Sequence, residues 1–351
     1  MRTVDQHTPE LPVAASPAAG TSLLAVENLG VDFATVDGWV NVVDGVSFTL
    51  ERGTTLGLVG ESGSGKSVTS LAVMGLLPDN AARLRPESSI RLEGAELTKY
   101  SERRMQDVRG DEIAMIFQEP ATSLNPAFRV GDQVAEMVRR HQGLSRKQAW
   151  TRAVDALGAV GIPNPARRAK AYPHEFSGGM RQRVMIAMAI SCEPRVLIAD
   201  EPTTALDVTI QAQVLALLDK LRAELGMALL LITHDLGVVA QVCERAIVMY
   251  AGQIVERADV RELYRQPRHP YAEGLLASMP HVAPRARARL ASIPGNPPMP
   301  WRMPAGCRFH PRCPYAADEC RSGNPELLVV DAGRESRCIR TAELTLRGGG
   351  R

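Results

Sequence analysis

Eight consecutive residues, Gly60-Glu61-Ser62-Gly63-Ser64-Gly65-Lys66-Ser67, restrict this chain more than any other feature. They match a phosphate-binding loop at every fixed position. An apolar run, Thr54–Val59, precedes them and reads as a buried strand. A helix is expected from Lys66 to about Leu77. Strand, glycine-rich turn and helix together make the context this chemistry needs. Glycines let backbone N–H groups converge on a phosphate, and the helix N-terminus adds partial positive charge. Lys66 is placed to reach β- and γ-phosphates and Ser67 to ligate magnesium. A chain built on this loop is an α/β protein before anything else is known of it.

The remaining apolar pattern agrees. Ile113–Phe117, Val196–Ala199 and Ala228–Thr233 read as short buried strands, while Ile210, Val214, Leu217, Leu218 and Leu221 mark an amphipathic helix. Such alternation indicates a parallel sheet. Leu23–Val31 reads as an edge strand and Val42–Leu50 as a second strand. Residues 120–190 break the alternation with helical spacing (Val134, Met137, Val138; Ala153, Leu157, Val160) and are expected to form an inserted helical subdomain. Asp200-Glu201 closes one buried strand. Beside a phosphate loop, Asp200 suits a magnesium ligand and Glu201 a general base acting on water.

Apolar residues are 45% of the 351 and the net charge is +2, so a large core is available and no global charge argues for nucleic acid. No apolar run approaches the roughly 20 residues of a membrane span. Residues 1–22 lack a signal-peptide core and read as a flexible tail, which places the chain in the cytosol. Prolines and Arg285, Arg287 and Arg289 mark a linker after about residue 275; the arginines suit a solvated linker better than contact with lipid or a subunit. Cys307, Cys313, Cys320 and Cys338 follow, separated by five, six and seventeen residues. Four thiolates can hold an iron–sulfur cluster or a tetrahedral zinc. His310 is an alternative zinc ligand, while Cys192 and Cys243 read as small core residues.

Further along, Phe176-Ser177-Gly178-Gly179-Met180-Arg181-Gln182-Arg183 resembles the signature motif of ABC ATPases, with Phe and Met at positions usually held by Leu and Gln. Its Ser-Gly-Gly turn opens a helix, Met180–Ile190, and offers bare N–H groups to an anion. The resemblance runs from residue 23 to about 260. It implies a P-loop NTPase (RecA-like) core with an antiparallel β edge, the inserted helical subdomain, and a small cysteine-containing C-terminal module. The expected units are a tail at 1–22, a nucleotide-binding domain at 23–275 and an extension at 276–351. It also implies that ATP and Mg²⁺ are bound, and that two cassettes close head to tail on two ATP molecules. Ser177, Gly178, Gly179 and Met180 would contact the ATP of the opposite subunit. Gln118 resembles the Q-loop residue that senses magnesium and the attacking water. Asp207, in Ala205-Leu206-Asp207, resembles the D-loop residue, and His234 the switch histidine. Phe33 is preferred over Trp39 as the aromatic stacked on adenine.

Three segments narrow the resemblance to ATPases of the bacterial dipeptide/oligopeptide (peptide/nickel) importers: Ser123–Pro126, Tyr172–Ala187 and Asp200–Gln213. His269-Pro270-Tyr271 and Gly306–Cys313 fit the same branch. That branch implies two transmembrane permease subunits, a second ATPase subunit, an extracytoplasmic substrate-binding protein and the cytoplasmic face of the inner membrane. Nickel, glutathione or a similar solute is the alternative cargo. Some members carry a 4Fe–4S cluster on this cysteine set, which ranks a cluster above zinc or no metal. A soluble ABC protein acting on ribosomes or DNA is the other class, but one cassette and no long heptad run argue against it.

Overall fold

The computed structural model describes residues 22–118, 123–204, 206–279 and 292–349. The arginine run at 285–289, residues 1–21 of the tail expected at 1–22, and Ala205 of the expected D-loop lie outside them.

Thirteen strands form two sheets among these residues. The smaller holds β1 (Ser22–Thr35), β2 (Gly38–Glu51), β4 (Ala82–Leu84), β5 (Ser89–Leu92) and β6 (Ala95–Glu96), in the order β2-β1-β5-β6 with β4 also on β1. All its pairings are antiparallel. β1 is therefore interior rather than the expected edge. Its buried residues come in consecutive blocks, which a strand covered on both faces requires.

The larger sheet contains β3 (Thr55–Val59), β7 (Ile113–Ile116), β8 (Val196–Asp200), β9 (Ala228–Thr233), β10 (Arg245–Tyr250), β11 (Gln253–Asp259), β12 (Leu328–Asp331) and β13 (Arg334–Ser336). Its order is β12-β13-β11-β10-β3-β9-β8-β7. The run β10-β3-β9-β8-β7 is parallel and the other pairings are antiparallel. The C-terminal segment thus adds two strands to this sheet.

Side-chain alternation with period two divides the parallel strands between two cores. Val196, Ile198, Leu230, Ile232 and Met249 face the core shared with the small sheet. Leu197, Ala199, Leu229, Leu231 and Val248 face the other core, against helices. Nearly continuous burial explains why these strands read as apolar runs rather than alternating ones.

The helices of at least one turn are α1 (Lys66–Val73), α2 (Glu102–Val108), α3 (Val130–Gln142), α4 (Arg146–Ala159), α5 (Pro165–Arg168), α6 (Gly178–Ile190), α7 (Val208–Leu225), α8 (Leu236–Val242), α9 (Val260–Arg265) and α10 (Pro270–Ala277). α1 stops short of the expected Leu77 because the chain turns at Gly75, where φ is 59°. Between β7 and β8 lie α3 to α6. Val134, Val138, Ala153, Leu157 and Val160 there are fully buried in one core with Val184 and Ile186 of α6. Ser145 begins α4 with a capping box closed by Gln148, so this helix has a sharp start. No helix among the described residues is long and apolar enough to cross a membrane.

Candidate nucleotide site

Strand register assembles the site. Val59 pairs with Thr233, and Asp200 with Ile232. The next residues along the chain, Gly60, His234 and Glu201, therefore emerge at one end of the parallel sheet. Carboxyl ends of parallel strands are where such folds bind ligands. Gln118 follows β7 at the same end and reaches Glu201.

The phosphate loop is held open and tightly backed. Gly60 has φ 159°, and a Cβ there would sit 2.2 Å from the Met249 carbonyl oxygen, so only glycine fits. Lys66 is buried, and its Nζ donates to the carbonyls of Gly60 at 2.7 Å and Glu61 at 2.9 Å. Burial lowers its pKa, while Glu201, Asp200 and Glu61 oppose the shift as counter-charges. Gly65 caps α1 without a side-chain hydrogen bond, and the first turn carries no acidic residue. The helix N-terminus thus keeps its field for an anion.

Asp200 and Glu201 differ despite being neighbours. Burial pushes the Asp200 carboxyl above the usual carboxylate range, and the charge of Glu201 adds to this; the Ser67 hydroxyl and Lys66 act against it. Its Oδ1 is buried with no hydrogen-bond partner among the described residues. A buried orphan oxygen beside a hydroxyl is a donor set suited to a hard cation. Burial acts on Glu201 too, but hydrogen bonds from Thr204 and His234, with the charges of His234 and Lys66, outweigh it and hold its carboxyl low. Oε2 accepts from Thr204 Oγ1 at 2.8 Å and from Gln118 Nε2 at 3.0 Å, and Oε1 lies 3.2 Å from His234 Nδ1. The residue stands at φ 47°, a left-handed conformation that costs a non-glycine side chain energy. Three side chains thus hold one carboxylate at the sheet end where the loop begins. Sequence reasoning missed Thr204, whose only signal was its place three residues after Glu201.

Two family models match this chain: ABC transporter over residues 43–204, and oligopeptide/dipeptide transporter, C-terminal region, over residues 255–320. An oligopeptide transport ATP-binding protein of Salmonella typhimurium is 49% identical over 328 residues, spanning 93% of this chain and 96% of that protein. A dipeptide transport ATP-binding protein of Escherichia coli is 50% identical over 317 residues, spanning 90% and 96%. This chain belongs to the ABC transporter family. A solved dimeric ATP-binding cassette, captured after hydrolysis with ADP and Pi, aligns at TM-score 0.60 and 25% identity, over 68% of this chain and 99% of the other.

In this ABC subunit the Ser177-Gly178-Gly179 turn lies at the start of α6. Ser177 and Gly178 are exposed, and Ser177 caps α6 by accepting the Met180 N–H. Gly179 is pressed on Ile210 of α7, 2.9 Å from where a Cβ would be. Asp207 caps α7 through the Ile210 N–H at 3.0 Å. No hydrogen bond joins Ser177, Gly178, Gly179, Met180 or Asp207 to residues 60–67 among the described residues. Phe33 is half-buried against the core, whereas Trp39 is exposed with the Arg83 guanidinium 4.2 Å over its ring.

Cys307, Cys313, Cys320 and Cys338 line one cavity, with Phe309 and His310. Burial raises the thiols of Cys307 and Cys338 and pushes Cys313 up to about 12. Among the described residues, however, no three His, Cys, Asp or Glu side chains are disposed to hold a metal ion. The expected cluster or zinc site is therefore unsupported: the four cysteines line one cavity without forming such a group. Cys192 and Cys243 are buried singly, as expected.

Proposed function

We propose that this chain is the ATP-hydrolysing subunit that energises peptide import through an ABC importer. The observation that carries the reading is the joining of Lys66, Asp200, Glu201, Gln118 and His234 at one sheet end, in a chain about half identical to oligopeptide and dipeptide transport ATP-binding proteins.

In this reading the loop N–H groups and Lys66 bind the β- and γ-phosphates. Ser67 and Asp200, with Gln118 nearby, hold Mg²⁺, which when bound supplies charge neutralisation to the phosphates. Glu201 orients and deprotonates the attacking water. His234 fixes Glu201 from one side and Gln118 and Thr204 from the other. Phe33 stacks on adenine. The exposed turn Ser177–Gly179, with Met180, serves the ATP of a second ATPase subunit, and Asp207 lies at that interface. Helices α3 to α6 act as the inserted subdomain that meets two transmembrane permease subunits, with a substrate-binding protein delivering cargo from outside. The chain then works peripherally at the inner membrane. Relatives named for dipeptides and oligopeptides favour peptide over nickel or glutathione.

Reconstitution of the complex in proteoliposomes tests this directly. Di- and oligopeptides presented with the binding protein should stimulate ATP hydrolysis severalfold and be taken up. Stimulation by a metal chelate or glutathione, with no response to peptides, would move the cargo elsewhere in the branch. ATP turnover unaffected by any permease would overturn the transport reading.

The four-cysteine cavity supports a metal assignment only through its donor chemistry, soft thiols gathered from one segment. We assign it as the place for a 4Fe–4S cluster, with zinc as the alternative. Anaerobic purification should give a broad absorbance near ~400 nm with iron and sulfide in equal amounts. Colourless protein with about one zinc per chain would select zinc. Metal-free protein would retire both.

A further inference from the structure

Glu61 is the second residue of the phosphate loop, and the chemistry above gives its side chain no task. Arg312, far away in sequence, grips it. Nη1 of Arg312 donates to Oε2 at 2.6 Å and Nη2 donates to Oε1 at 2.9 Å. Two parallel charge-assisted bonds fix orientation as well as distance. Arg312 is itself buried, donates from Nε to the Pro294 carbonyl at 2.8 Å and lies against the Tyr250 ring. The Glu61 backbone N–H donates to the Tyr271 hydroxyl at 2.8 Å. Phe309 packs edge-on against both tyrosines, so the grip stands on an aromatic base.

A second contact comes from the same segment. Arg308 donates to the Ala251 carbonyl at 2.6 Å and pairs with Asp44. Ala251 and Gly252 form the tight hairpin between β10 and β11, both at positive φ. The Gly252 N–H donates to the carbonyl of Ser64, inside the phosphate loop, at 2.9 Å. Gly306–Cys313 therefore reaches the loop at its start through Arg312 and at its middle through the hairpin tip.

We propose that Arg312 is a positioning residue for nucleotide binding, acting through Glu61 to hold the phosphate loop in its binding shape. A glycine-rich loop loses much conformational freedom on ordering, and a brace that orders it beforehand removes that cost from binding. The inference rests on the reading of residues 60–67 as the nucleotide loop.

The test compares wild type, Glu61→Gln, Arg312→Gln and the double variant in the full chain. Affinity for a fluorescent ATP analogue with Mg²⁺ is measured, then KM and kcat for ATP in the assembled transporter. Each single change should weaken affinity and raise KM about ten-fold with kcat within about two-fold, and the double should be no worse than either single. Arg312→Lys should recover little, because a lysine lacks the fork. If Arg312→Gln folds poorly, Glu61→Gln carries the test, since that side chain is partly exposed. Lost thermal stability with unchanged affinity and KM would reduce the pair to scaffolding and overturn the proposal, as would additive effects of the two singles. A wild-type chain that binds no nucleotide would overturn the loop reading and the brace with it.

Discussion

Glu201→Gln should lower ATP turnover about 10³-fold, roughly 4 kcal/mol of barrier, while leaving ATP affinity nearly unchanged. The expectation follows from how the carboxylate is held. Thr204 and Gln118 donate to one oxygen, and His234 lies beside the other. A glutamine has the same shape. Its oxygen can still accept from Thr204 and Gln118, and its amide can donate to a neutral His234. The network survives while the basic oxygen is lost. Binding contacts made by the loop and Lys66 do not pass through this group, so the variant should bind ATP and stall. Single-turnover hydrolysis, measured beside equilibrium ATP binding, separates the two effects. Turnover within ten-fold of wild type would show that Glu201 is not the base. Loss of ATP binding would show that its main task is structural.

The candidate site was legible because its parts are local or tied to strand ends. Gly60–Ser67 carries its chemistry in contiguous residues, and Asp200, Glu201 and His234 each sit at the end of an apolar run that could only be a buried strand. Thr204 was silent, because a hydroxyl three residues from an acid has many ordinary uses. The Arg312 grip was silent for a different reason. Its partner lies in another motif 251 residues earlier, and an arginine among prolines and cysteines carries no pattern of its own. The contacts of Tyr271 and Arg308 were silent in the same way, although both residues lie in segments that resemble the importer branch. In the fold, the parallel strands were plain, whereas β4 to β6 are two to four residues long and too short to show a period. β12 and β13 escaped notice because β13 joins the sheet through β11, a long-range contact, and β12 joins only through β13, so neither rests on local propensity. β1 looked like an edge because apolar content alone does not reveal what lies on each side of a strand.

Glu256→Ala should be the most damaging single change outside the nucleotide site, costing about 3–5 kcal/mol of stability. Glu256 on β11 is fully buried. It accepts from Arg334 Nη2 at 2.8 Å and from the backbone N–H groups of Arg268 and His269 at 2.8 to 3.0 Å. Three donors therefore depend on one carboxylate. Truncation leaves a buried guanidinium with the Gln266 carbonyl but no counter-charge, and deprives two backbone amides of the partner they lost water to gain. The two amides lie at the entry to α10, where His269 caps the helix through the Tyr271 N–H. Tyr271 in turn takes the Glu61 N–H, so damage at Glu256 should also reach the phosphate loop. Glu256→Gln keeps an acceptor for the amides and should cost clearly less than alanine. Replacing both partners, Glu256→Leu with Arg334→Met, removes the stranded charge but not the stranded amides, so it should recover only part of the loss. Thermal unfolding of the four proteins orders them as wild type, Glu256→Gln, the double variant and Glu256→Ala, with a drop of about 4–7 °C for the last. An alanine variant within about 1 kcal/mol of wild type would mean that water or a neighbouring group replaces the carboxylate, and that the pair contributes geometry rather than stability.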